Sequence, residues 1–281
     1  MLLKLLKYDF RKSARFGVPV IIAALAFALL GCGNAYLLCR SIADGTSFNM
    51  PPQGIVGSTI AASAIGGLVL VMIALAAVGA VMSVLLLVQY YKNTVSDEAY
   101  LTYTLPVNNA EIIASALINA VVWSLLMGVA LVISGLAIIL TGISAAGMTE
   151  EIFADLGEML KLISSALPTG TTILFIIMSA VSYVSTFMQA FMAITFGSII
   201  AKRHKALAGV AMVFGVSFIM NAIMSLVRLS LTGGLSGRSA VDTLFFLSDT
   251  YLIICTVIFI LLGVGYFFAT KYMMDKKLNL D

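Results

Sequence analysis

Few side chains in this sequence could do chemistry. Its 281 residues hold 13 carboxylates, 16 lysines and arginines, 1 histidine and 3 cysteines. The histidine, His204, sits among Lys202, Arg203 and Lys205, a setting suited to lipid phosphates rather than to a metal. Glu150 and Glu151 are adjacent, but no second histidine exists to complete a hydrolytic metal site with them. Cys32, Cys39 and Cys255 make an odd set without a C-x-x-C pair, and read as small apolar packing residues. A phosphate loop of the form Gly-x-x-x-x-Gly-Lys-Ser/Thr is missing, because Gly237, Arg238 and Ser239 lack the lysine and the upstream glycine spacing. The expectation is a chain that is not an enzyme and binds no metal or cofactor of its own.

What would position such sparse polar groups is a membrane. Hydrophobic residues make up 61% of the chain and charged residues 10%, with a mean hydropathy of +1.10. Soluble domains run near 45–50% apolar and about 25% charged. The net charge of +3 leaves no basic domain for nucleic acid. Apolar runs of the roughly 20 residues that a bilayer requires fall at 16–38, 57–90, 112–142, 171–200, 206–227 and 243–270. The predicted fold is therefore all-α and integral to the membrane, one six-span domain over residues 1–281.

Orientation follows from the lysines and arginines of short flanking segments, which stay on the cytoplasmic side. Lys4, Lys7, Arg11, Lys12, Arg15, Lys92, Lys202, Arg203, Lys205, Lys271, Lys276 and Lys277 fall on one side of a six-span layout. Only Arg40, Lys161, Arg228 and Arg238 fall on the other. Both termini are thus expected in the cytoplasm. The N-terminus superficially resembles a secretory leader with a lipoprotein-like box at Leu29, Leu30, Gly31 and Cys32, yet the apolar run continues past the cysteine, which favours an uncleaved span. Residues 1–15 suit an amphipathic helix on the membrane surface. Lys4, Lys7, Arg11 and Arg15 share one arc and Leu2, Leu3, Leu6 and Phe10 another, with Asp9 interrupting the apolar side. Such a helix is expected to turn into the first span near Gly17 and Pro19; an ordinary basic flank is the alternative.

The second run is longer than the bilayer needs, so its end should project beyond the lipid, and a polar knuckle follows it. Thr94 with Asp97, and Asn108 with Glu111, have the spacing of helix N-caps, and Pro106 limits the intervening helix. That short helix would carry Tyr100, Leu101, Tyr103 and Leu105, with Asp97 and Glu98 at its positively polarised start. Exposed aromatic and aliphatic groups there suit a protein partner or, equally, the lipid interface.

The run Asp97, Glu98, Ala99, Tyr100, Leu101, Thr102, Tyr103, Thr104, Leu105, Pro106, Val107 resembles the D-E-G-Y-L-T-F-T-L-P-V signature of ABC-2 type transporter permeases of Gram-positive bacteria. Relatives of lantibiotic-immunity and bacitracin-type exporters are among them. The basic opening and the six-span layout are similar too. Ala99 stands where that family often has glycine, and Ala116 where lysine is common. The resemblance implies a cytoplasmic coupling helix between spans two and three. Asp97, Glu98, Tyr100, Leu101, Thr102, Tyr103, Leu105 and Pro106 would contact a separate ATPase that binds ATP and Mg, supported by the helix bearing Lys4, Lys7, Arg11 and Arg15. It also implies a second permease copy or paralogue and export of an amphipathic substrate, an antimicrobial peptide or a lipid.

Two further patterns bear on transport. The middles of the six spans hold no Asp, Glu, Lys, Arg or His, which disfavours a proton-driven carrier without touching sodium sites built from carbonyls and hydroxyls. In the fourth span, Ser179, Ser182, Tyr183, Thr186 and Gln189 share one side within about 120 degrees, and either line a substrate path or pack against neighbouring helices. Gly66, Gly67, Gly79, Gly128, Gly135, Gly263 and Gly265 read as close helix contacts. Residues 149–163 form an acidic amphipathic pattern, placed by the layout on the outer side. A stand-alone immunity protein that binds a toxin or lipid, or an ion-coupled carrier, are the competing classes.

Overall fold

A computed structural model describes residues 2–43, 55–96, 99, 107–146, 157–158, 169–201, 204–232 and 249–276. Six long helices account for nearly all of them: α1 (Leu2–Ala43), α2 (Ile55–Thr94), α3 (Asn109–Ala146), α4 (Thr169–Ile200), α5 (Lys205–Thr232) and α6 (Asp249–Lys276). All six are long and apolar enough to cross a membrane. Large apolar side chains cover their outward faces, among them Leu29, Leu70, Val132, Phe218 and Leu261. In water that surface would be a liability, whereas in lipid it is the expected one.

Several helices exceed what a bilayer needs. The 42 residues of α1 and the 40 of α2 make about 60 Å each, against about 30 Å of hydrocarbon. No helix end separates residues 2–15 from the first span. Pro19 lies inside α1, where the loss of one backbone donor does not interrupt the helix. The expected turn at Gly17 and Pro19 is accordingly not an element boundary. Basic residues are good helix formers, and they extend α1 rather than stop it.

Thr94 is corrected from an N-cap to the last residue of α2. Its hydroxyl donates to the Tyr90 carbonyl at 2.7 Å, while the Val95 and Ser96 amides both donate to the Tyr91 carbonyl. Ser96 Oγ donates to the Lys92 carbonyl at 2.8 Å. These bonds satisfy carbonyls that a helix C-terminus leaves open. At the start of α3 the capping pattern holds. The Asn108 amide donates to Glu111 Oε2, and Asn108 Oδ1 accepts from the Ala110 amide, both at 3.4 Å.

The chain divides into two compact units. One comprises residues 10–85 and 122–163, the bodies of α1, α2 and α3. Small residues of α1, Ala24, Ala28 and Ala35, are buried in it together with Val71, Leu75, Met127 and Ile138, and Gly31 of α1 stands against Ile138 and Val71. Trp123, the single tryptophan, is buried there and stacks on Phe10 with centroids 5.0 Å apart. A Cβ on Gly17 would stand 2.6 Å from the Trp123 ring, so only glycine lets α1 approach that closely.

The other unit comprises residues 1–9, 86–121 and 164–281. Within it α4 packs on both α5 and α6. A Cβ on Gly197 would lie 2.7 Å from the Ala208 carbonyl oxygen, which makes α4 and α5 touch backbone to backbone. Of the seven glycines read as helix contacts, Gly67, Gly79 and Gly263 have close neighbours: Asn34, Leu131 and Ser185. Gly66, Gly128, Gly135 and Gly265 meet nothing within 4 Å among the described residues; Gly66, Gly128 and Gly265 are exposed and Gly135 is half-buried.

Candidate functional site

All eight residues expected to couple to an ATPase lie outside the described residues: Asp97, Glu98, Tyr100, Leu101, Thr102, Tyr103, Leu105 and Pro106. Between them Ala99 is fully buried, its amide donating to the Ser96 carbonyl at 2.8 Å. The acidic segment 149–163 also lies outside, except for Gly157 and Glu158, which are helical. What is described in detail is how the two flanks of the α2–α3 connection are held.

The centre of that arrangement is Asp9. It is 6% exposed, a carboxylate taken out of solvent on a helix whose other face is basic. Charges buried in this way are costly unless hydrogen bonds replace the lost water. Here Asn93 Nδ2 on α2 donates to Asp9 Oδ1 at 3.1 Å, and Ser115 Oγ on α3 donates to Asp9 Oδ2 at 2.6 Å. Gln89 Nε2 donates to the Asp9 main-chain carbonyl at 3.2 Å. One residue of α1 therefore accepts from both helices that flank the connection. Hydrogen bonds to a charged group contribute roughly 1.5–3 kcal/mol each.

The same two flanks reach the C-terminal helices. Tyr90, 1% exposed, stacks on the fully buried Phe191 of α4 with centroids 4.0 Å apart and planes 13° from parallel. Its hydroxyl lies 2.9 Å from Thr195 Oγ1. Because Thr195 gives its own proton to the Phe191 carbonyl, the tyrosine is the donor in that pair. On the other flank, Asn109 Nδ2 donates to Asp275 Oδ1 of α6 at 2.6 Å. Gln89, Tyr90 and Asn93 on one flank and Asn109 and Ser115 on the other thus hydrogen-bond to α1, α4 and α6.

This cluster was legible in part. Asp9 and Ser13, Gln89 and Asn93, and Ser115 and Asn119 are each an i, i+4 pair, which stacks two polar groups on one helix face. Five of the six are buried and Asn93 is half-buried. Three such pairs in apolar helices are a signal for a polar contact. Asp9, read alone, looks like a flaw in an amphipathic pattern.

Of the remaining candidates, Lys4, Lys7, Arg11 and Arg15 are all exposed on α1, opposite Asp9, Ser13 and Gly17. Leu3 and Tyr8, 80% and 70% exposed, border the basic stripe. On α4, Ser179, Tyr183 and Thr186 are exposed while Ser182 and Gln189 are half-buried. Ser179, Ser182 and Thr186 donate to carbonyls of their own helix, those of Phe175, Ser179 and Ser182. Among the described residues, Gln189 is the one of the five that hydrogen-bonds across helices, from Nε2 to Ser217 Oγ of α5 at 3.2 Å. Tyr183 meets Phe187 edge-on. His204 is exposed between α4 and α5, and the three cysteines are free.

Comparison with known proteins finds no family model, no curated protein and no solved structure that matches this chain.

Proposed function

We propose that this chain is the membrane-spanning permease subunit of an ABC-2 type transporter of the cell membrane, with both termini cytoplasmic. Its α2–α3 connection would receive the motion of a separate ATPase, and ATP and Mg would be bound by that partner. The observation that carries the reading is the anchoring of both flanks of the connection. A loop that only joined two spans would need no buried carboxylate, no stacked tyrosine and no asparagine–aspartate bond reaching α1, α4 and α6. A loop that receives force does, because displacement reaches distant helices only through packed, bonded side chains.

Two features of the sequence agree with this. Twelve of sixteen basic residues fall on the side assigned to the connection, and the span middles offer no Asp, Glu, Lys, Arg or His as a relay for a proton-driven cycle. The α4 stripe from Ser179 to Gln189 would border the path of an amphipathic peptide or lipid, completed by a second permease copy or paralogue.

A pull-down of the tagged chain in mild detergent from its native host, with mass spectrometry of what co-purifies, tests the reading. Recovery of an ATP-binding-cassette protein is expected, and its loss in the Tyr100→Ala/Leu101→Ala variant, which still inserts into the membrane. Recovery of the chain alone, under conditions that preserve other complexes, would favour the stand-alone immunity or ion-coupled readings.

A further inference from the structure

We infer that Asp9 is a latch that fixes the register of the two helices flanking the α2–α3 connection, so that neither can shift without moving the start of α1. Its purpose comes from the permease reading, while its geometry stands without it. The two carboxylate oxygens accept from different helices, Asn93 on α2 and Ser115 on α3. They belong to one rigid planar group. A relative slide of α2 against α3 by more than about 1 Å carries one of these bonds past hydrogen-bond length unless α1 follows.

The choice of a carboxylate supports a register function over plain stability. A well-packed apolar residue at a buried site is often as stabilising as a buried charge, and the best-attested use of such polar groups is to specify register. An apolar residue also tolerates sliding, because dispersion contacts have no direction. Asp9 further sets the rotation of α1. With Asp9 turned inward, Lys4, Lys7, Arg11 and Arg15 face outward. The Gln89 bond to the Asp9 carbonyl holds the α1 backbone at the same point, so main chain and side chain are gripped together.

The first measurement is hydrogen exchange on the purified full chain in detergent micelles. Asp9→Ala should quicken exchange at residues 2–12, 86–94 and 109–121 by about tenfold or more, the consequence of losing charge-assisted hydrogen bonds, and leave α6 residues 252–262 unchanged. Asp9→Asn should be intermediate, since a rotated Asn93 side chain can still bond it. Joining Asp9→Asn to Asn93→Asp moves the charge to α2 but keeps donors facing acceptors, and should return exchange to the wild-type rate. Wild-type exchange in Asp9→Ala would overturn the latch, as would an exchanged pair no slower than Asp9→Asn alone.

The second measurement adds a non-hydrolysable ATP analogue to the complex with the co-purifying ATPase. In the wild type, exchange should change at both flanks and at residues 2–12; in Asp9→Ala, at equal ATPase recovery, it should change at the flanks alone. A response of residues 2–12 that survives Asp9→Ala would overturn the transmission role. Recovery of no ATPase would end the permease reading and the transmission role together, and the exchange series on the isolated chain would still uphold or overturn the register role.

Discussion

Along α1, α2 and α3 the same helices are held by two different chemistries. Their bodies bury Ala24, Ala28 and Ala35 with Val71, Leu75, Met127 and Ile138, and approach closely at Gly31 beside Ile138 and Val71 and at Gly79 beside Leu131. Their ends around residues 86–121 meet through Asp9, Gln89, Asn93 and Ser115. Apolar seams in lipid draw on shape alone, since the hydrocarbon is as apolar as the side chains it would replace. Polar bonds add direction, and a shift that leaves shape complementarity nearly intact still breaks them. The bodies are therefore suited to close approach with some freedom to slide, and the ends to a single register. That division places the more exacting contacts beside the connection proposed to receive a partner.

The contrast is most exposed to failure at Tyr90. Its ring is stacked on Phe191 and its hydroxyl bonds Thr195, so truncation removes a large buried aromatic and its polar tip together. Tyr90→Ala should destabilise the chain by about 3–5 kcal/mol, read from a denaturant titration in mixed micelles followed by far-UV circular dichroism. A loss of no more than about 1 kcal/mol would mean that the ends are no more tightly specified than the bodies.

Gly17 probes the other side of the comparison, with a reporter already in place. Any Cβ there overlaps the Trp123 ring, and Trp123 is the chain's single tryptophan. Gly17→Val should cost about 1–3 kcal/mol as overpacking and shift the tryptophan emission to longer wavelength as the ring is displaced. Ser115→Ala, altering only the polar ends, should leave that emission unchanged. If both variants move it equally, the two chemistries are not energetically separate.

The spans were legible because a lipid-length apolar run dominates every other signal. The fourth was expected at 171–200 and α4 is Thr169–Ile200; the second was expected at 57–90 and α2 is Ile55–Thr94. Errors gathered where charge and helix part company. The sixth span is expected at 243–270, of which 243–248 lie outside the described residues, and the helix continues past it to Lys276: Lys271 ends an apolar run without ending a helix. Arg15 did the same at the start, dividing into two segments what is one helix. Asp9 escaped for a related reason. Amphipathic patterning scores each residue as apolar or polar against its own helix, and the partners that make Asp9 intelligible lie 80 to 106 positions away.

The smallest expected effect separates the two halves of α4. Toward its C-terminal end, Phe191, Ala193, Ile194 and Thr195 are buried; nearer its start, Ser179 and Thr186 are exposed. Among the described residues, Ser179 and Thr186 bond to carbonyls of their own helix, a local bond whose loss leaves the backbone ladder in place. Ser179→Ala and Thr186→Ala should each change stability by less than about 0.5 kcal/mol. Thr195→Val, nearly the same size, removes an acceptor of the buried Tyr90 hydroxyl and should cost about 1–3 kcal/mol. The denaturant titration used for Tyr90→Ala ranks all three. Should Ser179→Ala or Thr186→Ala cost as much as Thr195→Val, the exposed half of α4 is bonded to something beyond its own helix, and that face is a packed interface with a second chain rather than the border of a substrate path.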